Sequence, residues 1–254
     1  MKKLLIALQF FPGDQDAAMR LARLMADLEP THRKDVDLVL FGRFDVKHDL
    51  ESIRYVSRRF NVATFTGRRQ GVGWPAGCND LWHDLVDYAT ENAEHKLAPA
   101  YDAILTCESD CIPLYRDWIN RLSSAWETRT PGAIIAGCLC MRPKPHINGN
   151  LLLSGKLVDL QKVRRLRGSS STMGWDYQHA AWFSKQGWAA IPEIVSWHSY
   201  QHWTPDCWDK LLGMGCVFFH GEKHGKSLAT AREKLLGQKS VFGPKVTVLD
   251  ERPS

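Results

Sequence analysis

The chain opens on an apolar run, Leu4-Leu5-Ile6-Ala7-Leu8, closed by Pro12 and Gly13. A run apolar at every position is buried on both faces, so it predicts a central strand of a parallel sheet. The period then changes. Ala18, Leu21, Ala22, Leu24, Met25 and Leu28 recur at helical spacing, with Asp16 placed to cap the helix. Residues 36–41 predict a second strand, 49–58 a short helix and 61–65 a third strand. Residues 68–77 are basic and glycine-rich and read as a loop. Residues 79–92 read as a helix with Leu81, Leu85, Val86 and Ala89 inside. A fourth strand over 101–107 ends on Glu108-Ser109-Asp110. Pro113 closes a turn, and a helix over 118–126 follows.

The second half is patterned differently. Residues 133–137 predict a strand, and Asn148-Gly149-Asn150 signals a turn before Leu151-Leu152-Leu153. Residues 162–171 are basic, then small and polar, and predict a mobile loop. Residues 176–186 predict a helix, and Val217-Phe218-Phe219 a late strand ending at His220. The tail, 232–254, predicts a helix and a short strand at 246–249. Strand and helix alternate through residue 126, which argues for a mostly parallel α/β sheet covered on both faces. Ligands of such sheets bind beyond the strands' carboxyl ends. The loops at 9–16, 42–47, 66–79 and 108–113 are therefore expected to share one crevice. No linker divides the chain, so a single domain over 1–254 is expected, in halves of 1–126 and 127–230 with a tail from 231 to 254.

Composition narrows the setting. The 254 residues suffice for a sizeable core, and 44% hydrophobic with 24% charged residues is ordinary for a soluble domain. No apolar stretch reaches the length of a membrane span. Met1-Lys2-Lys3 and the apolar run after it lack the small-residue cleavage site of a signal peptide. The seven cysteines are odd in number, and beside Cys138-Leu139-Cys140 no second close pair offers zinc spacing. Reduced, mainly buried thiols in a cytoplasmic protein are expected. The 33 basic and 28 acidic residues leave a net charge of +5. That favours polyanions, a diphosphate or DNA alike, and does not choose between them.

Glu108 and Asp110 end an apolar strand, where two carboxylates are costly unless paired or bound to a cation. One residue apart, they can reach one hard cation, Mn²⁺ or Mg²⁺, which would bridge to a diphosphate. Solvated loop acids, with Asp110 capping a helix, are the plainer alternative. His220 follows the last apolar strand and suits Mn²⁺ as a further ligand. In the Gly221-Glu222-Lys223-His224-Gly225-Lys226 segment, glycines expose backbone N–H groups, and Lys223 or Lys226 can neutralise phosphate oxygens. A flexible basic surface loop is the alternative there. Lys162, Arg164, Arg165 and Arg167 form the clearest basic patch, either a solvated face or a phosphate-contact surface for DNA. Trp197, His198, Tyr200, His202 and Trp203 either shape a pocket or pack beneath the sheet.

Taken in order, these residues resemble the GT-A glycosyltransferases, whose nucleotide-binding half is a Rossmann-like sheet. In that family an Asp-x-Asp motif closes the fourth strand and binds a divalent metal on the donor diphosphate. The matching positions here are Glu108, Ser109 and Asp110, with glutamate in place of the first aspartate. The resemblance, over residues 3–228, implies a nucleotide-binding first half and an acceptor-side second half. It places Phe10, Phe11 and Pro12 against the nucleotide base and Arg43 and Asp45 near base or ribose. It sets Arg68, Gly77 and Asn79 over the donor, with Arg68 adding positive charge. Gly174-Trp175-Asp176 resembles an acceptor-side segment whose acid serves as general base when the reaction inverts configuration. His220 and the residues after it resemble the C-terminal metal and phosphate segment. The implied donor is a nucleoside diphosphate sugar, UDP-sugar by default. The basic character and length also resemble, more loosely, phage-type enzymes that glycosylate hydroxymethylated bases in DNA. Two other classes compete. A nucleotidyltransferase acting on a sugar phosphate would carry basic residues directly after the first strand, where 9–16 has none. A nucleic-acid or carbohydrate-binding module would leave Glu108, Asp110 and His220 without a shared role.

Overall fold

A computed structural model describes residues 1–43, 45–47, 49–96, 101–166, 172–197, 203–221 and 225–237. The first apolar run folds as β1 (Leu4–Phe10), and every residue of it but Gln9 is buried. A single 3-10 turn at Pro12–Asp14 leads into α1 (Gln15–Leu28), which buries the six apolar positions picked out by spacing. Asp16 lies inside the first turn of α1, and Asp14 takes the cap position in its place. β2 (Arg33–Gly42), α2 (Leu50–Val56) and β3 (Phe60–Thr66) follow, with Asp49 capping α2 through the Glu51 amide. α3 (Ala76–Glu94) leads to β4 (Ala103–Glu108).

Beyond this point sequence and structure part in several places. Pro113 ends a short strand, β5 (Cys111–Pro113), where a turn was expected. After α4 (Trp118–Arg129) and β6 (Ile135–Cys140), the expected turn at Asn148-Gly149-Asn150 is continuous strand, within β7 (His146–Ser154). The reason is hydrogen bonding. β7 ladders with β4 only as far as the Leu105–Leu152 pair. Past it, side chains replace the ladder: Thr106 Oγ1 donates to the Gly149 carbonyl at 2.6 Å, and Asn150 Oδ1 accepts from the Glu108 amide at 2.9 Å. Asn150 thus bridges the splayed strand pair, while Asn148 Oδ1 accepts from the Asn150 amide at 3.1 Å within β7, and β6 pairs with β7 on both sides of the segment.

The basic stretch expected as a mobile loop begins as α5 (Leu157–Arg164), with 167–171 outside the described residues. The helix expected over 176–186 is two, α6 (Trp175–Gln178) and α7 (Ala180–Gln186). β8 (Trp188–Ala190), β9 (Ile194–Ser196), α8 (Pro205–Gly213), β10 (Phe218–His220) and α9 (Lys226–Leu236) complete the described elements. The tail strand expected at 246–249 lies outside the described residues.

Seven strands form one sheet in the order β3-β2-β1-β4-β7-β6-β8. Only β7 runs antiparallel to its neighbours, so the sheet is mostly parallel, as expected, and strands of both halves share it. The two-residue period of β1 divides the core. Leu4, Ile6, Leu8 and Phe10 join α1 and α4 on one face, while Leu5 and Ala7 join Trp82, Leu85 and Val86 of α3 on the other. A second sheet, β5-β10-β9, stands beside the end of β4. All seven cysteines are free, five of them buried. Among the described residues no helix is long and apolar enough to cross a membrane.

Candidate metal centre and cleft

The small sheet is what joins residues distant in sequence. β5 begins one residue after Asp110, and β10 pairs with it so that His220 stands opposite Cys111. Glu108 ends β4, and His220 ends β10. One ligand atom from each of Glu108, Asp110 and His220 lies within 4.8 Å of the others. His220 Nε2 is 3.3 Å from Asp110 Oδ1 and 3.8 Å from Glu108 Oε2. Its Nδ1 is engaged by Ser196 Oγ at 2.7 Å. When Nδ1 holds the ring proton, Nε2 turns a lone pair toward the two carboxylates. Two carboxylates this close repel one another, and a divalent cation relieves that repulsion. Two hard oxygens with one imidazole suit Mn²⁺ or Mg²⁺, so the three residues fit as a candidate cation site.

A cleft of about 1270 Å³ opens from this cluster. Its walls include Phe11, Asp14, Trp74, Glu108, Asn148, Asn150, Asp176 and His220. Loops 9–16, 66–79 and 108–113 thus share the crevice. Of the expected donor residues, Phe11 lines it, whereas Phe10 is core. Pro12 starts the turn that sets Asp14 in the wall. Gly77 packs so closely on Phe11 that a Cβ there would overlap its ring. Asn79 is fully buried, and its Nδ2 donates to the Met173 carbonyl at 3.1 Å, fastening α3 to the segment before α6. Arg43 and Asp45 pair with each other and stand outside the described lining; Arg43 also reaches the Gly71 carbonyl at 3.5 Å. Arg68 is exposed. Ser109 lines a smaller cavity of about 60 Å³ beside Gly225, just before Lys226, the exposed first residue of α9. Lys223 lies outside the described residues.

Asp176 lines the same cleft as Glu108 and His220. Its carboxylate accepts from the Gly149 amide at 2.9 Å and the Tyr177 amide at 2.8 Å. Burial raises its pKa, against the lowering effect of those two bonds. Trp175 is both core and wall, stacked flat on Trp82 with ring centroids 3.6 Å apart. In the expected basic patch, Lys162 pairs with Asp159, and Arg164 with Asp87, Glu91 and Glu94 of α3. Arg165 is exposed, and Arg167 lies outside the described residues. Trp197 and Trp203 pack on Phe219 at 5.3 and 5.6 Å, while His198, Tyr200 and His202 lie outside the described residues.

The cleft also holds residues that the sequence reading passed over: Trp74, Arg142, His146, Asn148, Asn150 and Tyr177. One signal was available. His146, Asn148 and Asn150 alternate at the two-residue period of a strand, placing three polar groups on one face.

No protein-family model matches this sequence, and neither does any curated protein. Solved structures do match in fold. The apo-form glycosyltransferase GlyE of Streptococcus pneumoniae TIGR4 is similar with a TM-score of 0.53 at 14% identity, over 89% of this chain and 56% of that one. The apo bifunctional glycosyltransferase WbbM gives 0.51 at 10%, over 86% and 45%. TarS 1-349 of S. aureus gives 0.51 at 7%, over 91% and 64%. The chain spans roughly half to two thirds of the length of these structures. It has a GT-A-like α/β fold with a candidate cation site at the end of β4.

Proposed function

We propose that this chain is a metal-dependent glycosyltransferase, transferring a sugar from a nucleoside diphosphate sugar, UDP-sugar foremost, to a hydroxyl acceptor. The observation that carries this reading is the cluster of Glu108, Asp110 and His220, of which Glu108 and His220 line the same cleft as the carboxylate of Asp176. The GT-A-like fold supports it. Glu108, Asp110 and His220 hold Mn²⁺ or Mg²⁺, which supplies positive charge for the diphosphate leaving group. Phe11 offers the nucleotide an apolar surface at the end of β1, and the exposed Lys226 adds charge at the start of α9. Asp176 takes the proton of the acceptor hydroxyl as that oxygen bonds the anomeric carbon. The bond from that carbon to the diphosphate oxygen breaks, and the nucleoside diphosphate leaves with the electron pair. This assignment is for inversion of configuration. A hydroxymethylated base in DNA is one acceptor to examine, and Arg165 is the exposed basic residue nearest that role.

The test is hydrolysis and transfer with a panel of nucleotide sugars in Mn²⁺ or Mg²⁺, with and without hydroxymethylated DNA, against Asp110→Ala. Turnover of one donor that requires the cation and is lost in the variant is the expected result. Stimulation by the DNA identifies the acceptor. Absence of both turnover and donor binding across the panel overturns the reading.

A further inference from the structure

The cleft is electrically divided along its length. Three of its described lining residues are acids, Asp14, Glu108 and Asp176, and only one, Arg142, carries a fixed positive charge. β7 gives the scale. Asn150 bonds the Glu108 amide at one end, and Gly149 bonds Asp176 next to it. His146 stands four residues from Asn150, about 13 Å along a strand. There His146 Nδ1 is 2.9 Å from the Lys144 carbonyl, in the loop that carries Arg142. Lys144 itself lies over the Tyr177 ring at 4.5 Å, so its charge is turned to the same end. Arg142 is exposed and makes no ion pair or hydrogen bond among the described residues. Above Asp176, Trp74 stands 71% exposed, with its indole Nε1 beside Gly174. An exposed indole on a cleft wall is a stacking surface for a sugar or nucleoside ring.

We infer that this far end is an acceptor subsite for a phosphate-bearing alcohol, with the phosphate held by Arg142 and the ring resting on Trp74. The inference rests on the transferase reading for the word acceptor, and on the geometry alone for the ligand's chemistry. The guanidinium fork matches phosphate oxygens in a bidentate way. At the other end Asp14 and Glu108 would repel an anion in the absence of a cation. Asp176, between the two ends, then meets the ligand's hydroxyl while the phosphate is held some residues further along β7.

Titration calorimetry in EDTA tests it with no donor and no cation present, so the outcome is independent of nucleotide-sugar turnover. Glucose 6-phosphate is compared with glucose and glucuronate, and the dinucleotide d(TpT) with thymidine. Wild type is expected to bind a phosphate-bearing member at least fivefold more tightly than its neutral counterpart, and the pair showing the larger ratio identifies the phosphate's source. Arg142→Gln is expected to abolish the preference, and Asp110→Ala to leave it intact. Trp74→Ala is expected to weaken glucose 6-phosphate but not inorganic phosphate. Equal affinities within both pairs, or an unchanged preference in Arg142→Gln, overturns the inference. So does loss in Asp110→Ala, which moves the anion to the donor end. Glucuronate binding as tightly as glucose 6-phosphate overturns the phosphate assignment. Circular dichroism of each variant separates these results from unfolding.

Discussion

At the scale of single residues the chemistry turns on Asp176. Two amide N–H groups hold its carboxylate, which favours the ionised form, yet burial raises its pKa overall. A general base works only when deprotonated. Activity should therefore fall as pH drops through the raised value, at a higher pH than for a solvated aspartate near about 3.9. Asp176→Asn is expected to lower kcat by about 10²- to 10⁴-fold with little change in donor KM, and to remove the acid limb of the pH–rate profile. An unchanged kcat would assign Asp176 to structure alone.

At the scale of elements, β7 and α6 set that carboxylate. Gly149 lies under Trp175, and a Cβ there would stand 3.3 Å from Trp175 Cζ2 and 3.6 Å from Asp176 Oδ2. Trp175 cannot retreat, because it is stacked on Trp82. Gly149→Ala is expected to cost about 1–3 kcal/mol through overpacking, and to cut kcat by roughly ten- to a hundredfold through displacement of Asp176. Trp175→Ala leaves a cavity against Trp82 and is expected to cost about 3–5 kcal/mol. Urea denaturation with parallel turnover assays checks both. Full activity in Gly149→Ala would show that the β7–α6 contact does not position the base.

For the whole molecule, the cation would bind two sheets at once, since Glu108 ends a strand of the large one and His220 a strand of the small one. A ligand that binds only the folded state stabilises it by mass action. Mn²⁺ at a hundred times its Kd is expected to add about 2.7 kcal/mol. In a chain of 254 residues, that raises Tm by several degrees. A thermal scan with Mn²⁺ and with EDTA, on wild type and Asp110→Ala, measures it. The shift should vanish in the variant. An equal shift in both would place the cation elsewhere.

Much of this was legible in the residues because it depends on local pattern. The continuous apolar run of β1, the helical spacing of α1 and the period of β2 report burial directly, because each face of an element meets one environment. Two acids ending an apolar strand marked the cation site for the same reason, being costly where they stand. Other features are products of pairing. Asn148-Gly149-Asn150 carries turn chemistry, and it is strand because β6 pairs with β7 on both sides of it while Asn150 bonds the Glu108 amide across the gap to β4. Arg164 reads as a free phosphate ligand until α5 packs on α3 and delivers it to three acids. Composition and period determined the sheet, its helices and the acids at the end of β4. The tertiary structure decided that His220 meets those acids, that Asp176 shares their cleft and that Arg142 lines it too, because contacts across a hundred residues depend on which strands pair.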